Sequence, residues 1–425
     1  MNIGIFTDTY SPQISGVATS ITIMEEELRK RGHNVYIFTT TDPNADRASE
    51  QGRVFRLPSI PFVFFPERRV AIAGMAKFIR LVGELNLDII HTHTEFSLGL
   101  LGKKIAKKYG IPIVHTYHTM YVDYLHYIAK GKILKPNMVK RMTRSFCESY
   151  QALIAPTEKV RHHLEDCGIH KLIYTIPTGT NLSSFERVSE TKLNEIRASL
   201  GISKDDPVIL SLGRVAYEKN IDAIIDAFPD VLAEMPNAKL LIVGDGPVRG
   251  ELEEKAAAMG LERSILFPGA IPWNEIGTYY QLGHVFVSAS TTETQGLTYM
   301  EAMASTLPVV AKRDESIEDF LIDGKTGLLF DSDDELSNRL IYVLKNPARA
   351  KQIAQNGRSE VTRYSADNFG KTIEETYLEI VAMFQTIQKK PIDLKPTLIK
   401  SKMASQVFSL TSNSHVRKGR SSRRD

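Results

Sequence analysis

Arg214 and Lys219 stand five apart in Leu212-Gly213-Arg214-Val215-Ala216-Tyr217-Glu218-Lys219-Asn220, which reads as a strand-to-helix loop with Lys219 opening the helix. Two cations so placed can converge on one diphosphate, the guanidinium as a planar fork and the ammonium as a point charge. Gly244-Asp245-Gly246-Pro247 marks another tight turn with proline at a helix start. Glu293 and Glu301 follow, eight residues apart. The first ends a loop, and the second lies one to two turns into a helix. The N-terminus of that helix, near Gly296 and Leu297, offers an anion site. Paired carboxylates close to a basic loop suit the hydroxyls of a sugar or a ribose, because each accepts two hydrogen bonds in fixed geometry. Singly, each feature is also what a solvated helix face or a tight turn contains. In order, each at a strand's carboxyl end, they mark one ligand site.

The first half contributes less. Thr7–Val17 carries no G-x-G-x-x-G, which argues against the commonest dinucleotide-binding turn and so against a dinucleotide-dependent oxidoreductase. Gly16 does sit beside the start of a helix near Val17, where a phosphate can approach backbone N–H groups or the glycine can simply fit a tight turn. Five of the eleven histidines fall within His91–His126: His91, His93, His115, His118 and His126. Their spacing invites zinc, but residues 91 and 93 share a strand face while 115 and 118 do not, and no glutamate stands at metalloprotease spacing. No metal site is therefore expected. His93 and His118, near strand ends, read as hydrogen-bond donors to substrate, and His91 and His115 as structural. No side chain stands out as a covalent nucleophile.

These residues need elements to carry them. Strands are expected at Ile3–Thr7, Val35–Thr39, Val54–Leu57, Asp88–Thr92, Pro112–Thr116, Ala152–Ala155 and Ile173–Ile176, with helices near 17–31, 70–85, 97–108, 137–150 and 158–166. The scheme repeats with strands at Val208–Leu212, Lys239–Val243, Ile265–Phe267, Val285–Ser288 and Pro308–Ala311. Its helices fall near 219–233, 248–259, 273–282, 296–305, 333–345 and 347–363. Alternation with a period near thirty residues means parallel strands and right-handed crossovers. The reading is two doubly wound α/β domains, 1–180 and 181–365, with a ligand cleft between them. A helix at 366–388 follows, then a basic tail at 389–425 expected to be disordered.

Composition supports this frame. The 425 residues are 42% hydrophobic, which excludes a collagen-like or wholly disordered chain, and two cysteines exclude a disulfide scaffold. No signal peptide and no eighteen-residue apolar run are evident, so a cytosolic protein without a transmembrane helix is expected. The formal charge of +3 hides a partition: +7 over residues 1–185, −12 over 186–388 and +8 over 389–425. A basic half suggests an anionic partner. Ile133–Tyr150 sets Leu134, Met138, Met142 and Phe146 at i+4 spacing among Lys132, Lys135, Lys140, Arg141 and Arg144, as in a helix lying on an anionic bilayer. The alternative is an apolar stripe in the core under a solvated basic face. Ile60–Phe65 could insert beside it, with Arg68, Arg69, Lys77 and Arg80 extending the charge. Aromatics do not interleave with the basic residues as a nucleic-acid stacking groove requires, so no nucleic acid is expected.

The order G-R-x4-K, G-D-G-P and E-x7-E, followed by Ala302-Met303-Ala304, resembles the retaining, nucleotide-sugar-dependent glycosyltransferases of family 4 over roughly residues 1–388. The resemblance implies the GT-B fold: two facing Rossmann-like domains with an interdomain cleft and a C-terminal helix crossing back to the first. It further implies that Arg214 and Lys219 hold the donor diphosphate, Glu293 the hexose hydroxyls and Glu301 the ribose. Gly213, Gly244, Gly246, Gly296 and Leu297 would line the donor site, Gly16 would let the first domain close on the phosphate, and His118 would sit by the hexose. Thr294-Gln295 departs from the pattern, in which the first glutamate is often followed by Gly or Ser and then an aromatic.

Within that family, Phe6–Tyr10, Gly16-Val17, His115–Tyr121 and Thr292–Leu297 look most like the bacterial diacylglycerol glucosyltransferases. These move glucose from UDP-glucose to the 3-hydroxyl of 1,2-diacylglycerol with retention. On this resemblance His93 and Tyr121 belong to the acceptor side, and Lys140, Arg141 and Arg144 to the membrane side, peripheral at the cytoplasmic face. UDP-glucose is a substrate, no cofactor or metal is needed, and phosphatidylinositol or a soluble sugar are the alternative acceptors.

Overall fold

The computed structural model describes residues 1–13, 15–62, 65–122, 136–185 and 188–389. The first half runs β1 (Asn2–Phe6), α1 (Gly16–Lys30), β2 (Asn34–Thr40), β3 (Val54–Leu57), β4 (Ser59–Phe62), β5 (Phe65–Ala71) and α2 (Met75–Leu85). It continues with β6 (Ile89–Thr92), α3 (Ser97–Tyr109), β7 (Ile113–Thr116), α4 (Pro136–Cys147), β8 (Ala152–Ala155), α5 (Glu158–Asp166) and β9 (Leu172–Thr175). Seven of these strands form a parallel sheet in the order β3-β2-β1-β6-β7-β8-β9. The strands β6, β7 and β8 are buried throughout, which is why they are mostly apolar, with His91 and His115 as buried, hydrogen-bonded exceptions.

The second half runs α6 (Glu190–Leu200), β10 (Val208–Leu212), α7 (Ile221–Glu234), β11 (Lys239–Val243), α8 (Arg249–Ala258), β12 (Ile265–Gly269) and α9 (Ile276–Tyr280). Then follow β13 (Val285–Ser288), α10 (Leu297–Ala304), β14 (Val309–Lys312), β15 (Leu328–Phe330), α11 (Leu336–Lys345), α12 (Pro347–Val361) and α13 (Ala366–Lys389). The second sheet, also parallel, has the order β12-β11-β10-β13-β14-β15. Both sheets lie within one unit, Met1–Ala382, and Met383 onward forms another. Apolar clusters cover both faces of each sheet. Phe369, Ile373, Tyr377 and Ile380 of α13 pack with Ile3 and Ile5 of β1 and Met24 of α1, so α13 completes the first sheet's core.

Several expectations need correction. Residues 59–71 form an antiparallel hairpin, Ser59 opposite Ala71 and Ile60 opposite Val70, so α2 begins at Met75 and not near residue 70. Lys219 does not open an α-helix. It ends a 3-10 turn, Tyr217–Lys219, and Asn220, at φ 49°, separates that turn from α7. The strand β15 and helix α6 were not expected. His126, Lys132, Leu134, Lys135, Val63, Phe64 and residues 390–425 lie outside the described residues.

Candidate active site in the cleft

Strand order reverses at two places, between β1 and β6 in the first sheet and between β10 and β13 in the second. Connections leave a doubly wound sheet in opposite directions there, opening a crevice at the strands' carboxyl ends. His93 directly follows β6, Gly213 and Arg214 follow β10, and Glu293 follows β13. The candidate residues therefore sit at both switch points.

Backbone geometry in the second domain requires the glycines. Gly213 N donates to Val243 O at 2.9 Å and Val215 N to Asp245 O at 3.0 Å, drawing the two turns together. A Cβ on Gly244, at φ 139°, would stand 1.8 Å from Gly213 O, so only glycine fits. A Cβ on Gly246 would likewise stand 2.1 Å from Val215 O. Across the cleft, a Cβ on Gly16 would lie 3.7 Å from Leu297 Cδ1. The starts of α1 and α10 thus meet, and their N–H groups and dipoles give the cleft two positive ends. Ser15 Oγ caps α1 by accepting from Ala18 N at 3.2 Å.

The charged residues are paired. Lys219 Nζ donates to Glu293 Oε1 at 2.6 Å, so the cation expected at the diphosphate and the carboxylate expected at the hexose hold each other. Arg214 Nη1 lies 3.6 Å from Glu218 Oε1. Glu301 is buried in α10, where Tyr280 donates to its Oε2 at 2.8 Å. Burial pushes its carboxyl up to about 7, against the lowering effect of the Tyr280 hydrogen bond.

On the first-domain side, His118 Nε2 lies 2.9 Å from His93 Nδ1. His93, expected to donate to substrate, is buried, with 2% of the residue exposed and its Nε2 without a hydrogen-bond partner among the described residues. His91 bonds Tyr377 and Thr116, and His115 bonds Thr92 and Glu95. Tyr121 donates to Glu95. Among the described residues no group of three or more His, Cys, Asp or Glu is arranged to hold a metal ion.

The departure at Thr294-Gln295 has a structural reason. Gln295 Oε1 accepts from Thr178 N at 2.9 Å while its Nε2 donates to Thr178 O at 2.8 Å, clamping the interdomain segment. Thr157 Oγ1 donates to Thr294 O at 2.9 Å. Lys159 Nζ, on α5, donates to Glu293 O at 3.2 Å and to both Asp314 oxygens at 2.8 and 2.7 Å. Asp8, after β1, accepts from Thr94 Oγ1 at 2.6 Å and from Leu98 N at 3.2 Å, fixing the start of α3. The sequence reading gave no role to Asp8, Lys159, Thr178, Gln295 or Asp314, although Asp8 and Gln295 lie in segments it singled out.

The membrane-side residues lie on α4. Val139, Thr143 and Cys147 face the core, whereas Met138 and Met142 are 46% and 61% exposed beside Arg141 and Arg144. Of the described residues of the apolar stripe, Met138 and Met142 therefore face outward. Lys140 and Phe146 are half-buried, and Phe146 packs against Gly99 and Lys103 of α3. Exposed Phe96 and Leu100 border α3's start, and the Phe96 ring lies 5.9 Å from Phe62 of the hairpin, where Ile60 is also exposed. Among the described residues no helix is long and apolar enough to cross a membrane.

Two parallel-sheet domains with a site built from both switch points define the GT-B class of glycosyltransferases. Solved structures agree on the fold. HepE of Anabaena with UDP and glucose superposes at TM-score 0.73, 20% identity, covering 89% of this chain and all of that one. Sucrose-phosphate synthase of Thermosynechococcus elongatus gives 0.73 at 23% identity, covering 90% and 99%. The profile of glycosyl transferases group 1 matches residues 193–360, and that of glycosyltransferase family 4 matches residues 14–184. The alpha-monoglucosyldiacylglycerol synthase of Streptococcus pneumoniae is 44% identical over 384 residues, 90% of this chain and 86% of that protein. The synthase of the same name from Acholeplasma laidlawii is 35% identical over 390 residues, 90% of this chain and 98% of its own. The chain belongs to glycosyltransferase family 4, and these alpha-monoglucosyldiacylglycerol synthases are among its relatives.

Proposed function

We propose that this enzyme moves glucose from UDP-glucose to the 3-hydroxyl of 1,2-diacylglycerol with retention, giving α-monoglucosyldiacylglycerol. The observation that carries the reading is the 44% identity to the pneumococcal synthase across 90% of the chain, beside the family order of the cleft motifs in this sequence. Arg214, Lys219 and the facing starts of α1 and α10 stabilise charge on the departing UDP, a task that fixed cations and dipoles perform without a metal. Glu293 accepts from hexose hydroxyls, Glu301 from the ribose, and His118 bonds the hexose. The bond from the anomeric carbon to the phosphate oxygen breaks as the acceptor oxygen bonds the same face. The acceptor's proton passes to the leaving phosphate oxygen, so no protein nucleophile is consumed.

Diacylglycerol resides in a bilayer, and the exposed Met138 and Met142, flanked by Arg141 and Arg144, are the side chains suited to reach it. The hairpin and the start of α3 extend that apolar edge. Peripheral binding with the first domain downward is the reading this arrangement supports, and we place it at the cytoplasmic face.

A radiolabelled-donor screen tests the assignment, with UDP-glucose and UDP-galactose offered against diacylglycerol, phosphatidylinositol and soluble sugars. Label should enter diacylglycerol from UDP-glucose, survive EDTA, and fall about 10²–10³-fold with Lys219→Ala. Preferential labelling of phosphatidylinositol or a soluble sugar sinks the acceptor assignment.

A further inference from the structure

We propose that His93 is a positioning residue that sets the tautomer of His118, so that His118 presents Nδ1–H to an oxygen of the bound donor. The functional half of this rests on the reading that His118 faces the donor hexose. His93 is fixed at the end of β6, where its backbone N donates to Phe6 O at 3.0 Å. Its ring lies 4.0 Å from that of His91 and 5.2 Å from that of His118, and its Nδ1 is 2.9 Å from His118 Nε2. His91 has no nitrogen left for it, since Nδ1 is bonded to Tyr377 OH and Nε2 to Thr116 Oγ1 at 2.7 Å. The Nε2 of His93 is buried with no hydrogen-bond partner among the described residues.

Burial pushes both rings well down, His118 to about 3, so both are neutral at physiological pH. Two neutral imidazoles sharing one hydrogen bond have two arrangements. If His118 donated, the proton of His93 would sit on Nε2, a buried N–H with nothing to bond. If His93 donates, its Nε2 keeps only an unused lone pair. A buried unpaired N–H is the rarer and costlier defect, because an acceptor tolerates under-satisfaction better. His93 Nδ1–H therefore donates to His118 Nε2, which leaves the proton of His118 on Nδ1. A leaving phosphate oxygen offers only lone pairs, and only this tautomer can bond it. A hexose hydroxyl can accept from it equally.

Nitrogen chemical shifts of the full chain labelled with ¹⁵N-histidine read the tautomer directly. His118 should show a protonated Nδ1 and an unprotonated Nε2 near neutral pH. In His93→Ala it should move toward the Nε2–H tautomer that free imidazole side chains favour, with kcat falling about 10- to 100-fold and donor KM changing less. His93→Asn, whose Nδ2 stands near the lost Nδ1, should restore the tautomer and most of kcat. A wild-type His118 protonated at Nε2 overturns the proposal, as does a His93→Ala enzyme with unchanged shifts and kcat. Full turnover by His118→Ala, with the tautomer as proposed, instead overturns the reading of His118 as a donor contact and the functional half of the proposal with it.

Discussion

Glu301 is a buried carboxyl, bonded by Tyr280 and raised to about 7 by burial. A ribose whose hydroxyls donate to it favours the ionised form, so binding lowers this pKa. The free enzyme must release a proton to bind UDP below that pKa and need not do so above it. UDP affinity by calorimetry should therefore rise several-fold from about pH 6 to about pH 8 and then level off. Glu301→Gln should bind more weakly and flatten the profile. A flat wild-type profile would show that the ribose does not meet this carboxylate. The pair Lys219–Glu293 makes a related point, since a cation and a carboxylate 74 residues apart become one unit only when the loops after β10 and β13 lie side by side.

At the scale of elements, α4 separates pattern from placement. Its i+4 spacing groups Met138 with Met142 in any helix, but whether that stripe faces the core depends on what else is there to cover. Val139, Thr143 and Cys147 already fill the inner side, so the methionines are left outside with Arg141 and Arg144. Reversing Lys140, Arg141 and Arg144 to Glu should weaken binding to anionic vesicles by about 100-fold or more, at roughly 1 kcal/mol for each cation at the surface. High salt should weaken the wild type in the same direction. Unchanged flotation with anionic vesicles would place the membrane-binding face elsewhere. The hairpin of β4 and β5 was illegible because Pro61 and Pro66 interrupt the strand pattern, and α6 because only Leu193 of its residues is buried, leaving no stripe to detect.

For the whole molecule, closure is the relevant property. Lys159 on the first-domain side binds Asp314 and the Glu293 carbonyl, while Gln295 clamps Thr178. Thr180 N donates to Tyr364 O at 2.7 Å and Ala366 N to Thr180 O at 3.0 Å, so the chain's two passages between the domains run side by side. Lys159→Ala and Asp314→Ala should each raise donor KM by about three- to tenfold, since a largely buried ion pair with hydrogen bonds contributes about 1 kcal/mol or somewhat more. The double mutant should lose little more than either single one. Additive losses would mean that the two residues act separately. The +7 of the first 185 residues against the −12 of the next 203 gives the molecule a polarity that favours approach to an anionic bilayer by its first domain.

The sequence by itself determined the alternation of elements and the identity of the cleft residues. Val54–Leu57, Ala152–Ala155, Val208–Leu212, Lys239–Val243 and Val285–Ser288 have the same limits in sequence and structure. Strands covered on both faces must be apolar along their length, and the turns after them must carry the glycines and charges that a ligand requires. Tertiary structure alone decided which of those side chains touch each other. Thr178 and Gln295 are 117 residues apart and His93 and His118 25 apart, and no local period links either pair. Spacing along a chain reports which residues share a face, whereas contact, burial and proton placement depend on what the rest of the fold brings against that face.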